Sequence, residues 1–144
     1  MLDIREATIN DNGVITLLSH QLGYAIEEAD SFKNLEYILN SKCHVVFVAE
    51  YEKKVVGWIQ VSKLIHLETG WFCEIAGLVT DEHYRGKGVG SALINQAIKW
   101  AKENNCRRLV VRTNVIRTET HKFYSKQNFQ LRKEQKVFEM KVNN

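Results

Sequence analysis

Apolar residues recur along this chain with two periods, roughly 2 and roughly 3.6 residues, the marks of a half-buried strand and an amphipathic helix. From Leu2 to Thr8, Leu2, Ile4 and Glu6 alternate with Asp3, Arg5 and Ala7, which predicts a short strand with one mostly apolar face. Asn10 or Asp11 is placed to cap a helix in which Val14, Ile15, Leu17, Leu18 and Leu22 recur at helical spacing. A second helix is expected from Asp30 or Ser31, carrying Phe32, Leu35, Ile38 and Leu39. The period then changes. Val45 to Ala49 and Val55 to Val61 are β-branched runs around the polar Glu50-Tyr51-Glu52-Lys53-Lys54, which predicts two antiparallel strands and a short turn.

A third strand is expected from about Trp71 to Thr80, and it contains Glu74 and Gly77. Glycine inside a strand marks a bulge or a close backbone approach. The loop Asp81 to Gly90 leads into a helix with Val89, Leu93, Ala97, Trp100 and Ala101 on one face and Asn104-Asn105 at its end. Leu109 to Val111 reads as a strand, Thr118 to Gln127 as a helix stopped by a left-handed Asn128, and Phe129–Leu131 and Val137–Val142 as final strands. The order β-α-α-β-β-β-α-β-α-β-β predicts an α/β fold with helices laid on a mixed sheet.

Composition narrows the class. The chain has 144 residues, 44% of them hydrophobic, which suits one domain over residues 1–144 with a real core. A net charge of +3 is too mild to argue for nucleic acid, but it suits a polyanionic small molecule bound at one basic spot. Cys43, Cys73 and Cys106 are widely spaced and form no C-x-x-C pair, so neither a disulfide framework nor a zinc site is expected. His44, His66, His83 and His121 likewise show no metal-ligand spacing, so no metal is expected. The acidic N-terminal stretch does not read as a signal peptide, and no apolar run approaches the roughly 18 residues of a membrane span. Reduced thiols and no membrane segment point to the cytoplasm.

The chemistry concentrates in Arg85-Gly86-Lys87-Gly88-Val89-Gly90-Ser91. Three alternate glycines let the backbone curl with its N–H groups inward, and the following helix adds free N–H groups and a positive dipole end. Together they make an anion cradle suited to a diphosphate, with Arg85 and Lys87 at its rim. The Walker pattern fails because Ser91 and Ala92 follow Gly90. The Rossmann pattern fails because Gly90 comes one step too soon after Gly88. What remains is R-x-x-G-x-G.

Here the sequence resembles the GNAT superfamily of N-acetyltransferases. The segment Leu78 to Leu93 is similar to that family's acetyl-CoA motif almost throughout, and His121-Lys122-Phe123-Tyr124-Ser125-Lys126-Gln127-Asn128-Phe129 to its F-Y-x-x-x-G-F signature, with Asn128 in place of glycine. The resemblance implies a mostly antiparallel mixed sheet flanked by helices, with strands splayed apart near Gly77 and Val111 at the acetyl-CoA site. It implies acetyl-CoA as co-substrate. Leu78, Val79 and Thr80 would bind its pantetheine arm, Arg85, Gly86, Lys87, Gly88, Val89, Gly90 and Ser91 its pyrophosphate, and Asn114 the arm. The Val79 amide would polarise the thioester carbonyl. Glu74 would take the proton of the incoming amine, directly or through water, and Tyr124 would protonate the departing thiolate.

The implied reaction is acetyl transfer to a primary amine by direct attack. The acceptor is a small molecule such as an aminoglycoside or polyamine, or a protein amine. Glu27, Glu28, Asp30, Glu68 and Glu74 either attract a cationic acceptor or are ordinary surface charges. A coenzyme-A-binding sensor or regulator without turnover is the alternative of a different class. Neither nucleic acid nor membrane is an expected partner, and the resemblance allows a homodimer.

Overall fold

The structure is a computed structural model and describes residues 1–143. The chain gathers into two compact units, Met1–Arg112 and the segment from Thr113 onward.

The first unit holds one mixed sheet in the order β1-β2-β3-β4-β5, formed by β1 (Leu2–Glu6), β2 (His44–Tyr51), β3 (Lys54–His66), β4 (Gly70–Thr80) and β5 (Leu109–Val111). Every pairing is antiparallel except that of β4 with β5. Helices α1 (Asn12–Gln21) and α2 (Glu28–Leu39) precede β2, and α3 (Val89–Glu103) lies between β4 and β5.

Strand alternation places the helices. Val48 faces Trp58 across the β2–β3 ladder. Val46, Val48 and Trp58 pack with Ile15 of α1 and Leu35 of α2. Gly57, the next residue along β3, therefore points to the opposite face, where it meets Val89 and Leu93 of α3. The sheet is thus sandwiched between α1 and α2 on one side and α3 on the other. Helix α3 seals its side with Val89, Leu93, Ile94, Ala97 and Ala101, all buried. Asn105 then turns left-handed at φ 60° and ends it.

Several details differ from expectation. Asp11 precedes α1 but gives it no side-chain cap. Its carboxylate instead accepts both Arg5 terminal nitrogens at 2.8 and 2.9 Å and the Thr8 N–H at 2.7 Å. A guanidinium fork outcompetes a single amide for a carboxylate. Helix α2 starts at Glu28, and Ser31 bonds the Asn12 side chain at 2.9 Å, tying α2 to α1. β3 runs to His66, five residues past Val61, because Ser62 to His66 pair with Glu74 to Gly70. Polar Ser62-Lys63 concealed that continuation.

The second unit contains α4 (Thr118–Lys126), which stops at Asn128 with φ 70° as expected. The strands expected at Phe129–Leu131 and Val137–Val142 are absent from the described residues. A strand exists only with a hydrogen-bonded partner, and alternation in the sequence supplies propensity without supplying the partner.

Candidate active site

The centre of the first unit is the place where two strands part. β4 pairs with β5 from Cys73↔Leu109 to Ile75↔Val111 and no further, while β4 itself continues to Thr80. Residues 76–80 thus have no strand neighbour on that side among the described residues. Two features coincide with the parting. Gln60 faces Gly77 and Val61 faces Ile75, so Ala76 is an extra residue, a β-bulge. A Cβ at Gly77 would lie 2.8 Å from the Trp58 ring, so only glycine lets the indole cross β4 there. Both the bulge and the close approach expected of Gly77 are present, as is the expected splaying. Leu78, Val79 and Thr80 follow on the freed edge, with Val79 buried.

The glycine loop begins where β4 ends. Asp81 accepts the His83 N–H at 3.0 Å and caps a short turn, Glu82–Tyr84. Gly86 and Gly88 have φ of 79° and 80°. A Cβ at either would meet nothing within 4 Å, so glycine is required there by backbone conformation and not by crowding. Gly88 is the N-cap of α3 and supplies no side-chain cap; the first intrahelical bond runs from the Ala92 N–H to the Gly88 carbonyl at 3.0 Å. The amides of Val89 and Gly90 have no intrahelical acceptor and sit at the positive end of the helix dipole. Arg85 and Lys87 are exposed beside them. A polyanion fits this set.

The loop is anchored from residues that sequence reasoning missed. The Tyr84 ring lies 5.6 Å from that of Tyr51, and Lys87 Nζ is 5.8 Å from the Tyr51 centroid. The Glu82 N–H donates to Gln21 Oε1 of α1 at 2.9 Å. These contacts span the end of β2 and the end of α1, distances in sequence that no local pattern reveals.

Glu74 sits on β4, opposite Ser62 on one side and Val110 on the other. Its Oε2 accepts from Arg112 Nε at 2.8 Å. Arg112 was not anticipated, although it continues the alternation of Val110 past the end of β5. Ser62 in turn bonds His44 Nδ1 at 2.8 Å.

Tyr124, in the second unit, is buried between Phe123 and Phe129, with centroids 5.3 and 5.4 Å away in edge-on geometry. Burial raises its pKa above the ordinary phenol value, so it remains a proton donor at neutral pH. Asn114 shapes the turn ahead of α4. Its Oδ1 accepts the Ile116 N–H at 3.1 Å, and its carbonyl takes bonds from the Arg117 N–H at 3.0 Å and from His121 Nε2 at 2.9 Å.

Cys73, beside Glu74, is buried and lies against Cys106. Burial, and next the Cys106 thiol, push its pKa up to about 12. It is a thiol and not a nucleophilic thiolate at neutral pH. No group of three or more His, Cys, Asp or Glu gathers into a metal-binding set among the described residues. No helix among them is long and apolar enough to cross a membrane.

Comparison with known proteins bears on this geometry. The sequence profile of the acetyltransferase (GNAT) family matches residues 12–129. Streptothricin acetyltransferase A of Bacillus subtilis (strain 168) is 28% identical over 123 residues, covering 83% of this chain and 67% of that protein. The chain spans only 28% to 38% of the length of three further curated relatives. The crystal structure of a transcriptional regulator from Bacillus halodurans C-125 superposes with TM-score 0.86 at 27% identity, covering 97% of this chain and 100% of that one. AAC(6')-Iy in complex with the bisubstrate analogue CoA-S-monomethyl-acetylneamine superposes with TM-score 0.87 at 20% identity, covering 99% of both chains, a likeness of fold. The parted strands, the left-handed glycines at an uncapped helix start and the profile match over residues 12–129 agree: this chain belongs to the acetyltransferase (GNAT) family.

Proposed function

We infer that the protein transfers the acetyl group of acetyl-CoA to a primary amine by direct attack. The observation that carries this reading is continuity. The freed edge of β4 at residues 76–80 runs straight into the glycine loop and the start of α3, so one stretch of chain offers strand-like backbone followed by an anion cradle. That sequence of surfaces fits an extended amide-containing arm ending in a pyrophosphate.

Acetyl-CoA supplies an activated thioester. The chain supplies the rest. Leu78, Val79 and Thr80 offer backbone groups to the arm, and the Val79 amide polarises the reacting carbonyl. Arg85, Lys87 and the amides at the start of α3, among them those of Gly90 and Ser91, hold the diphosphate, with the left-handed Gly86 and Gly88 allowing the curl. Glu74, oriented by Arg112, takes the proton of the attacking amine, directly or through water. Tyr124, kept protonated by burial, returns a proton to the departing sulfur. Asn114 holds the turn that leads into the Tyr124 helix. The unreactive Cys73 argues against an acyl-cysteine route.

The named activity of the Bacillus relative favours a small-molecule amine, such as an aminoglycoside or polyamine, over a protein amine. The free cysteines suit the reducing cytoplasm. A coenzyme-A-binding regulator without turnover is the second reading, favoured by the neighbour described as a transcriptional regulator.

Thermal unfolding with acetyl-CoA, ATP and NAD in parallel tests the cofactor. Ligand at about 100 times Kd adds roughly 2.7 kcal/mol and raises Tm by roughly 5–10 °C. Release of coenzyme A thiol across an amine panel then separates enzyme from regulator. A shift with acetyl-CoA but no thiol release from any amine favours the regulator, and no shift removes the cofactor assignment.

A further inference from the structure

Cys73 and Cys106 take no part in the proposed reaction, yet the fold brings them together. Cys73 is 0% exposed in β4, where it pairs with Lys63 of β3 on one side and Leu109 of β5 on the other. Its N–H donates to the Arg108 carbonyl at 3.0 Å, so the chain arriving from α3 meets β4 just ahead of that pairing. Cys106 precedes Arg108 by two residues. The left-handed turn at Asn105, and a bond from the Cys106 N–H to the Ala101 carbonyl at 2.9 Å, tie it to the last turn of α3. Cys106 is 9% exposed, and the two thiols lie against each other. The third cysteine does not compete. The Lys63 N–H donates to the Cys43 carbonyl at 2.7 Å, so Cys43 and Cys73 flank β3 in one row. Two strand spacings separate them by roughly 9–10 Å, beyond the roughly 7 Å that a disulfide can bridge.

We propose that Cys73 and Cys106 are a redox modification site, closing to an intramolecular disulfide when the protein meets a hydroperoxide. Cys106, the thiol that reaches the surface, is the entry point. Its sulfur attacks one peroxide oxygen, the O–O bond breaks, and the other oxygen departs as an alcohol, or as water from hydrogen peroxide itself. Cys106 is left as a sulfenic acid. The Cys73 sulfur then attacks the Cys106 sulfur, the S–O bond breaks, and the hydroxide leaves with the Cys73 proton as water. Two electrons pass from the pair of thiols to the peroxide. Contact between the thiols means that side-chain rotation, without movement of either strand, brings the sulfurs to a bond length of about 2.0 Å. The bond joins β4, beside Glu74, to the exit of α3, and closes a covalent loop over residues 73–106. That loop contains the freed edge of β4, the glycine turn and all of α3. Oxidation therefore staples the two ends of the segment proposed to bind acetyl-CoA, and it restricts that segment in the unfolded chain. The cross-link itself does not depend on the acetyl-CoA reading.

Hydrogen peroxide added to the folded full chain carrying Cys43→Ser tests this, since only the pair then remains to be oxidised. The expected result is loss of both free thiols on titration, a mass lower by two hydrogens, and a non-reducing peptide map that joins the peptides of Cys73 and Cys106. Tm should rise by roughly 5–15 °C and return to its starting value with a dithiol reductant. Adding Cys106→Ser should abolish both the cross-link and the rise; Cys73→Ala is the second variant, should the first fold poorly, and should leave Cys106 to proceed to the sulfinic acid. The proposal is overturned if both thiols survive peroxide in the folded protein. It is overturned equally if Cys106 is over-oxidised while Cys73 stays free, or if the cross-link forms and Tm does not rise.

Discussion

Gly57 couples the sheet to the start of α3, and replacing it with alanine should damage stability and cofactor binding together. An added Cβ would lie 2.8 Å from Val89 Cγ1, 3.0 Å from the Val79 carbonyl oxygen and 3.2 Å from Leu93 Cδ1. Carbon atoms rest about 3.5–4.0 Å apart, so Val89 would have to retreat by about 1 Å. It has nowhere to go, since Val89 is 2% exposed and Leu93 0%. Overpacking of this kind costs about 1–3 kcal/mol, against which a stiffer unfolded chain returns about 0.4–1 kcal/mol. The net is a loss of about 1–2 kcal/mol, a fall in Tm of roughly 3–8 °C. Val89 is the first residue of α3, directly after Gly88. Pushing it outward also displaces the amides proposed to hold the diphosphate, so the rise in Tm with acetyl-CoA should shrink as well. Thermal unfolding of Gly57→Ala with and without acetyl-CoA measures both. Gly13→Ala is the control of opposite sign. It lies in α1, where an added Cβ meets only Glu28 Oε1 at 3.4 Å, and it should gain roughly 0.5 kcal/mol. A Gly57→Ala protein as stable as the parent, with an undiminished ligand shift, would refute the claim that α3 presses on β3 and that this seat sets the loop.

Tyr124→Phe keeps the aromatic packing against Phe123 and Phe129 and should lower kcat by roughly 100-fold or more while acetyl-CoA binding stays within a few-fold; unchanged kcat removes the phenol from the reaction. The β2–β3 turn has φ of 51° at Glu52 and 69° at Lys53, so Lys53→Gly should relieve left-handed strain and stabilise by roughly 0.5–1 kcal/mol in chemical denaturation. The Arg5 guanidinium holds the Asp11 carboxyl below its usual range, so that pairing stabilises the fold above the unfolded carboxyl pKa of about 3.9 and is lost as pH falls through the lower folded value. Asp11→Asn should therefore be roughly 1.5–3 kcal/mol less stable than the parent at neutral pH, with the gap closing below about pH 4; a gap that is constant with pH contradicts the pairing.

The parts of the fold legible in the sequence are those whose cause is local. The helix stop at Asn104-Asn105, the left-handed Asn128, the bulge beside Gly77 and the glycine turn into α3 each follow from the conformational freedom of one or two residues, and each is where it was expected. The bounds of β3 and the absence of the last two strands were not legible, for one reason. Ser62-Lys63 lies in a strand because β4 pairs with it, whereas Val137 to Val142 alternates well but has no strand beside it among the described residues. Pairing decides strand identity, and a single strand carries only half of that information.

The same division runs through the site. The residues proposed to hold the diphosphate are contiguous from Arg85 to Ser91, so chain geometry and a helix dipole suffice to find them. Glu74 was found as a carboxylate out of place in a strand, but the group that controls it, Arg112, lies 38 residues away and meets it only because β4 and β5 run parallel for three residue pairs. That contact changes what a Glu74 substitution should do. Glu74→Gln removes a proton acceptor, but it also weakens the ion pair with Arg112, so loss of activity alone would not separate a base from a structural anchor. Arg112→Ala, read beside it, does: a base that Arg112 merely orients should retain part of its activity, with the pH profile of kcat/KM shifted, whereas a structural pair should lose Tm equally from either side. Equal loss of Tm with an unshifted profile would take Glu74 out of the proton path and leave that step to water.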